Sequence, residues 1–167
     1  MLPFVPDLLP CAIMRVWFFT LVTICFLSCV PVERQGKVVK VVDGDTFDIL
    51  DESSTTRIRL FGIDAPERGQ AFNKRAKAFT DSLISGKHVR VVVRDKDRYG
   101  RTVGDAYLSD GTHVNAEIVR AGYAWQFKKY STDPEIARLE EIARNHHRGL
   151  WEDTHAIPPW EFRKGKR

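Results

Sequence analysis

Cysteine is nearly absent from this 167-residue chain: the three that it has, Cys11, Cys25 and Cys29, all precede residue 30. No disulfide bond can therefore stabilise the remainder, which excludes the class of small disulfide-stapled domains. Internal repeats and low-complexity segments are also missing, and the composition of 29% charged and 43% hydrophobic residues excludes a collagen-like, largely disordered or polytopic membrane protein. The length predicts one globular domain. The net charge of +4 permits an anionic partner without requiring one.

Charge is scarce at the start of the chain, where only two charged side chains precede residue 30. Fifteen uncharged residues, 16–30, follow Arg15, a length typical of a signal-peptide core and short for a membrane-spanning helix. We predict that residues 1–30 are a signal peptide or a membrane anchor that is recognised by the export machinery. Translation is expected to start at Met1 or Met14. A cleaved signal, an uncleaved anchor and lipidation at Cys29 within a loose lipoprotein box remain alternatives. Each predicts an exported domain, which is secreted, periplasmic or membrane-anchored.

Alternating and valine-rich segments predict five strands, and apolar residues at helical spacing predict three helices. The strands are expected at 37–42, 46–50, 56–61, 87–94 and 101–108, and the helices at 70–85, at 114–120 and from 133 to before Gly149. Five strands are too few for a sandwich and suit a small closed barrel. We therefore predict an α+β fold, a five-stranded oligonucleotide-binding (OB) barrel with three helices over residues 36–152, followed by a basic tail at 153–167.

Two acidic side chains follow the first strand in the segment Asp43-Gly44-Asp45-Thr46. Residues two apart on an extended chain face the same side, so both carboxylates can address one point. Asp-Gly between apolar strands is also a strong turn signal, and a plain hairpin turn is the alternative interpretation.

A second charged cluster lies at the end of the third strand. Arg57 and Arg59 share one face of the strand, and Asp64 and Glu67 follow on a turn whose backbone Pro66 restricts. A solvated edge strand with surface ion pairs, which contribute little to stability, would show the same pattern.

The third cluster is the loop segment Asp97-Arg98-Tyr99-Gly100-Arg101. It is either a polar hairpin connection or a loop whose arginines and tyrosine bind phosphate. Carboxylates from two separate segments suit a hard cation such as calcium or magnesium, whereas the lack of cysteine and of neighbouring histidine disfavours zinc. Arginines beside such a cation suit a phosphate that gains negative charge when a phosphodiester is attacked. The three clusters together therefore favour phosphodiester chemistry.

In their order and separations these three segments resemble the signature of the staphylococcal nuclease (thermonuclease) family. The resemblance extends from Gly36 to Trp151 and includes the segment DGTHVNAEIVRAGYA and the closing Gly149-Leu150-Trp151. It implies an OB barrel with added helices. It also implies a calcium-dependent nuclease that hydrolyses phosphodiester bonds of DNA and RNA and leaves 3′-phosphate ends.

The resemblance further implies a set of calcium ligands. They are the carboxylates of Asp45 and Asp64 and the backbone carbonyl of Ala65, with Asp43 acting through water. The family uses this backbone carbonyl whatever the side chain, so alanine in place of the usual threonine does not remove the ligand.

The catalytic and substrate-binding roles are implied in the same way. Glu67 matches the carboxylate that activates or positions the attacking water, and Arg59 and Arg101 match the arginines that hold the scissile phosphate. The residues expected to contact the rest of the substrate are Arg98, Tyr99 and Tyr130. Lys128 departs from the family pattern, because the type member has a tyrosine there.

A non-catalytic OB module that binds single-stranded nucleic acid is the alternative function. Acids near a phosphate weaken binding unless a cation intervenes, so the retained acids favour hydrolysis. We expect a monomer, with no protein partner implied. The basic end FRKGKR is either a solvated chain end or a source of salt-sensitive affinity for DNA or an anionic membrane, and we interpret Trp125, Trp151 and Trp160 as packing residues.

Overall fold

A computed structural model describes residues 31–52 and 54–165. The barrel strands are β1 (Glu33–Asp43), β2 (Thr46–Asp51), β3 (Ser54–Leu60), β5 (His88–Lys96) and β6 (Thr102–Leu108), and a separate two-stranded sheet contains β4 (Ile63–Asp64) and β7 (Trp125–Gln126). The barrel closes in the order β1-β2-β3-β6-β5, with β3 and β6 parallel and the other neighbours antiparallel. The predicted α+β fold with a closed five-stranded barrel is confirmed.

The core of the barrel is apolar, as the strand patterns predict. Inward-facing side chains that are almost completely buried come from every barrel strand and include Val38, Phe47, Ile49, Ile58, Leu60, Val91 and Ala106. Burying one such large side chain stabilises the fold by about 1.5–3 kcal/mol. The barrel is therefore a rigid platform for the polar residues at its rim.

Four α-helices lie in the described part of the chain: α1 (Asn73–Ile84), α2 (Val114–Arg120), α3 (Pro134–Asn145) and α4 (Pro159–Lys164). The bounds predicted for α2 are confirmed. Helix α3 begins where predicted, because the Asp133 side chain accepts hydrogen bonds from the backbone N–H groups of Glu135 and Ile136. Helix α1 begins three residues later than predicted, because Phe72 has a left-handed backbone with φ of 64° and cannot continue a helix.

The fourth helix lies within the segment predicted as a tail. A 3₁₀ turn at Gly149–Glu152 precedes it, and Pro159 occupies its first turn, where a proline loses no helical hydrogen bond. The indole of Trp160 stacks on Phe127 with ring centroids 5.4 Å apart, and Gln70 Nε2 donates to the carbonyl of Ile157 at 2.5 Å. The segment that contains α4 is thus packed against the rest of the domain as far as Arg163, which bonds to Asp64.

The predictions for residues 1–30, including the start at Met1 or Met14 and lipidation at Cys29, lie outside the described residues. Within 31–52 and 54–165, no helix is both long and apolar enough to cross a membrane.

Candidate active site

The turn between β1 and β2 holds the first acidic pair at one end of the barrel. Thr46 is paired with Arg59 of β3, and the backbone N–H of Leu60 donates to the carbonyl of Asp45 at 2.9 Å. On the other side, Thr80 of α1 donates through Oγ1 to the carbonyl of Gly44 at 2.7 Å. A β-carbon on Gly44 would lie 2.7 Å from that of Ala65, so this turn fits closely against the segment that carries Asp64.

Arg59 lies between two buried carboxylates. Asp45 and Asp64 are each 1% exposed. Arg59 Nη1 contacts Asp45 Oδ1, and Nη2 donates to Asp64 Oδ1 at 2.7 Å. Asp45 Oδ2 accepts from the backbone N–H of Ala65 at 2.6 Å. The predicted convergence of Asp45, Asp64 and Arg59 on one point is therefore present in the structure.

The charge on Arg59 is strongly influenced by its surroundings. Burial lowers the pKa of this guanidinium, and the positive charge of Arg101 acts in the same direction, while Asp64 and Asp43 oppose it. Arginine nevertheless stays protonated in proteins, so the buried acids keep a cationic partner. Arg101 precedes Thr102, which pairs with Ile58 of β3, so this second arginine lies at the same end of the barrel as Arg59.

Arg163 is the site residue that sequence reasoning missed. Its Nη2 donates to Asp64 Oδ2 at 2.7 Å, its Nη1 donates to Asp64 Oδ1 at 3.3 Å, and the same Nη1 contacts Glu67 Oε1. Burial opposes its charge, but the bonds to Asp64 and Glu67 outweigh that effect and raise the pKa of Arg163. The available signal was Pro159, because proline is favoured in the first turn of a helix.

Glu67 and Arg101 lie at the edges of the cluster. The backbone N–H of Glu67 donates to Gln70 Oε1 at 3.0 Å, which fixes the turn while its half-buried carboxylate meets Arg163. Arg101 donates through Nε to Asp97 Oδ2 at 2.6 Å. Burial opposes the charge of Asp97, but this bond and backbone N–H donors hold the pKa of that carboxyl below its usual range. Asp97 thus orients the Arg101 guanidinium.

The other predicted residues are less closely tied to the cluster. Asp43 accepts from the backbone N–H of Asp45 at 3.3 Å and belongs to the same turn. Arg98 donates to the hydroxyl of Tyr99 at 2.7 Å, and Tyr99 is 70% exposed. Tyr130 is exposed on a different loop, edge-on to Phe127 with ring centroids 4.9 Å apart. Among the hydrogen bonds and ring contacts of the described residues, none joins Tyr130 to the acids of the cluster.

The donor set of the cluster fits a hard cation. Asp45 and Asp64 supply carboxylate oxygens, which calcium and magnesium prefer, and two guanidinium groups lie on those oxygens in this structure. Among residues 31–52 and 54–165, no group of three or more acidic, histidine or cysteine side chains is arranged to hold a metal ion. A cation here would therefore be held by two carboxylates completed by a carbonyl oxygen and water.

A closed five-stranded barrel with buried acids and arginines at one end defines an OB-fold protein with a charged site. The chain belongs to the family described as "Staphylococcal nuclease homologue", whose sequence model matches residues 57–153. It is 45% identical over 131 residues to an "Uncharacterized endonuclease" of Escherichia coli O157:H7, covering 78% of this chain and 86% of the relative. It is 39% identical over 143 residues to a "Micrococcal nuclease" of Shigella flexneri, covering 80% and 82%.

Proposed function

We propose that this protein is a calcium-dependent endonuclease that hydrolyses phosphodiester bonds of DNA and RNA and leaves 3′-phosphate ends. The observation that carries the proposal is the cluster in which Arg59 joins the buried Asp45 and Asp64, with Glu67 linked to Asp64 through Arg163. The family and its nuclease-named relatives support it. A cluster that only stabilised the fold would not need carboxylates whose burial is costly.

Calcium would be held by Asp45 and Asp64, with the carbonyl of Ala65 and water from the side of Asp43. When bound, it supplies Lewis-acid polarisation of a phosphate oxygen. The buried acids are suited to this role because both are held in place, Asp45 by the N–H of Ala65 and Asp64 by two arginines.

Glu67 is the proposed base that orients or deprotonates the attacking water, an effect worth about 10²–10⁴-fold in rate. Arg59 and Arg101 bind the phosphate oxygens that gain negative charge. Arg59 donates through Nη2 to Asp64 and to the Ile63 carbonyl and contacts Asp45 through Nη1, and its remaining N–H groups are the proposed donors to substrate. The 5′-oxygen leaves, so the phosphate remains on the 3′ end.

The test uses the purified full chain with plasmid DNA, single-stranded DNA and RNA. We expect cleavage of all three with calcium, and none with EGTA in the presence of excess magnesium. Product ends should resist polymerase extension until a phosphatase removes the 3′-phosphate. Binding without cleavage under every metal condition would instead identify the non-catalytic OB module.

Arg101→Lys tests the proposed role of the guanidinium. Lysine keeps the charge but lacks the planar fork that binds two oxygens, and loss of one transition-state donor costs about 10²–10³-fold in kcat. The control is Arg90→Lys, because Arg90 is a half-buried arginine of β5 that is paired with Glu33. Equal kcat values for the two variants would contradict the role of Arg101.

We also propose that residues 1–30 direct export and that the domain acts outside the cytoplasm as a monomer. The fifteen uncharged residues 16–30 after Arg15 support this, because their length is typical of a signal-peptide core. Fractionation of cells that produce the full chain tests the proposal, and recovery only in the cytoplasm would contradict it.

A further inference from the structure

A cleft of about 630 Å³ lies beside the acid–arginine cluster, between the loop after β7 and helix α4. Its walls include Phe127, Lys128 and Lys129 on the loop side and Trp160, Arg163 and Lys164 on the helix side. We refer to it as the α4 cleft. One wall exists only because the end of the chain folds back as a helix, so this cleft was not predictable from the three sequence clusters.

The α4 cleft is strongly basic. Its single acidic lining residue, Glu140, is already neutralised, since it contacts Arg144 and accepts from the backbone N–H of Gln126. Lys128 is exposed, and the ammonium of Lys129 lies 5.4 Å from the ring centre of Tyr130. The positive charge on the loop side is therefore available to an anionic partner.

The cleft also has an aromatic wall. Trp160 is half-buried and lies parallel to Phe127, with an angle of 1° between the ring planes. Phe127 covers one face of the indole, Trp160 also packs against the apolar cluster of Trp125 and Trp151, and its accessible part contributes to the lining of the cleft. Basic side chains beside an accessible aromatic ring are the combination that binds single-stranded nucleic acid, with phosphates on the cations and a base on the ring.

Arg163 connects the cleft to the proposed site of hydrolysis. It lines the α4 cleft while its guanidinium contacts Asp64 and Glu67. The α4 cleft and the cluster are therefore adjacent, with Arg163 as their shared residue. A duplex would not present unstacked bases to Trp160, so the aromatic wall favours a single strand.

We propose that the α4 cleft binds the single-stranded continuation of the substrate beyond the scissile phosphate. Backbone phosphates contact Lys128 and Lys129, and a base packs on Trp160. This inference rests on the proposed function, because it assumes that the strand is cleaved at the neighbouring cluster. It assigns α4 to substrate binding as well as to packing.

The test measures binding of fluorescein-labelled oligothymidylate of about 20 nucleotides, longer than the site of one OB barrel, to the full chain in EGTA. The variant is Lys128→Ala with Lys129→Ala. The control is Lys37→Ala with Lys87→Ala, a pair at the opposite end of the barrel, since Lys37 precedes Asp43 by six residues of β1 and thus by roughly 20 Å. Both pairs lower the net charge equally.

We expect the cleft variant to bind about tenfold more weakly than the control, with the slope of log Kd against log salt reduced by about 1.4. Trp160→Ala should weaken binding by about 5- to 150-fold, and Trp160→Phe should restore most of it. Equal Kd values for the two double variants, or no binding by the wild type, would contradict the proposal that the α4 cleft binds the strand. Failure of the wild type to cleave with calcium would instead contradict the proposed nuclease function, and the measured binding to the α4 cleft would be unaffected.

Discussion

Two guanidinium groups share one buried carboxylate at this site. Asp64 is 1% exposed, and its oxygens accept from both Arg59 and Arg163. An ionised carboxylate removed from water is destabilising unless it is paired and hydrogen-bonded. The arginines therefore act as the counter-ions of the site, and any metal ion must share the carboxylate with them or replace them.

Arg163→Gln is predicted to bind calcium about fivefold more tightly than the wild type. The reason is that the substitution removes a positive charge that contacts Asp64, and two charges about 4 Å apart interact by roughly 1 kcal/mol even in water. Isothermal titration with calcium measures the Kd without any substrate. Arg163→Lys retains the charge and is the control, so equal or weaker binding by Arg163→Gln would contradict the counter-ion role.

The residues of the cluster differ in how far the sequence reveals them. Asp45 lies in the β1–β2 turn, Arg59 near the end of β3 and Asp64 in β4, which begins three residues after β3 ends. Pairing of β1, β2 and β3 brings these neighbouring segments together. Arg163 is 99 positions from Asp64, and no local pattern relates the two. Its position depends on the packing of Trp160 on Phe127, a tertiary contact that periodicity does not encode.

At the scale of elements, Asp105 joins two strands to the start of α2. Its Oδ2 accepts from Arg94 Nε of β5 at 2.7 Å, and its Oδ1 accepts from Asn115 Nδ2 at 3.3 Å. His113 Nε2 lies 3.6 Å from the same Oδ1. Burial alone would raise the pKa of Asp105, but His113 and Arg94 outweigh it and hold the pKa below its usual value of 3.8.

Asp105→Asn is predicted to lower the free energy of unfolding by about 2 kcal/mol at pH 7, since hydrogen bonds to a charged group are lost. Because the folded pKa is the lower one, this stabilisation is complete well above pH 3.8 and disappears as the pH falls through the folded value. Urea unfolding at pH 7 and pH 3 measures both effects. The control is Asp81→Asn on the exposed face of α1. If Asp105→Asn lowers the free energy of unfolding as much at pH 3 as at pH 7, the stabilising role of the ionised Asp105 carboxylate is contradicted.

The helices show why element boundaries were only partly predictable. The start of α3 follows from Asp133, whose capping bonds are local. The start of α1 depends on Phe72, which leaves the helix to pack against the cluster of Trp125, Leu150 and Trp151. That cluster is assembled from distant parts of the chain, so a local helical pattern extends the predicted helix too far.

At the scale of the whole molecule, one backbone junction connects the barrel to the segment that ends in α4. Gly122, after α2, and Gly149, at the 3₁₀ turn, both have positive φ, of 78° and 56°. The backbone N–H of Leu150 donates to the carbonyl of Gly122 at 2.8 Å. This bond places Leu150 and Trp151 in the apolar cluster against which Trp160 packs.

Gly149→Ala is therefore predicted to destabilise the fold and to weaken strand binding together. A β-carbon there would lie 2.4 Å from the carbonyl oxygen of Gly122, and overpacking costs about 1–3 kcal/mol in addition to about 1–2 kcal/mol for the left-handed backbone. Gly86→Ala is the matched control, because its φ is 71° and nothing lies within 4 Å of its added β-carbon. Urea unfolding of both variants should show the larger loss of stability in Gly149→Ala. Oligothymidylate binding should be weakened in Gly149→Ala and unchanged in Gly86→Ala. Equal effects in the two glycine variants would mean that the junction does not hold α4 against the barrel.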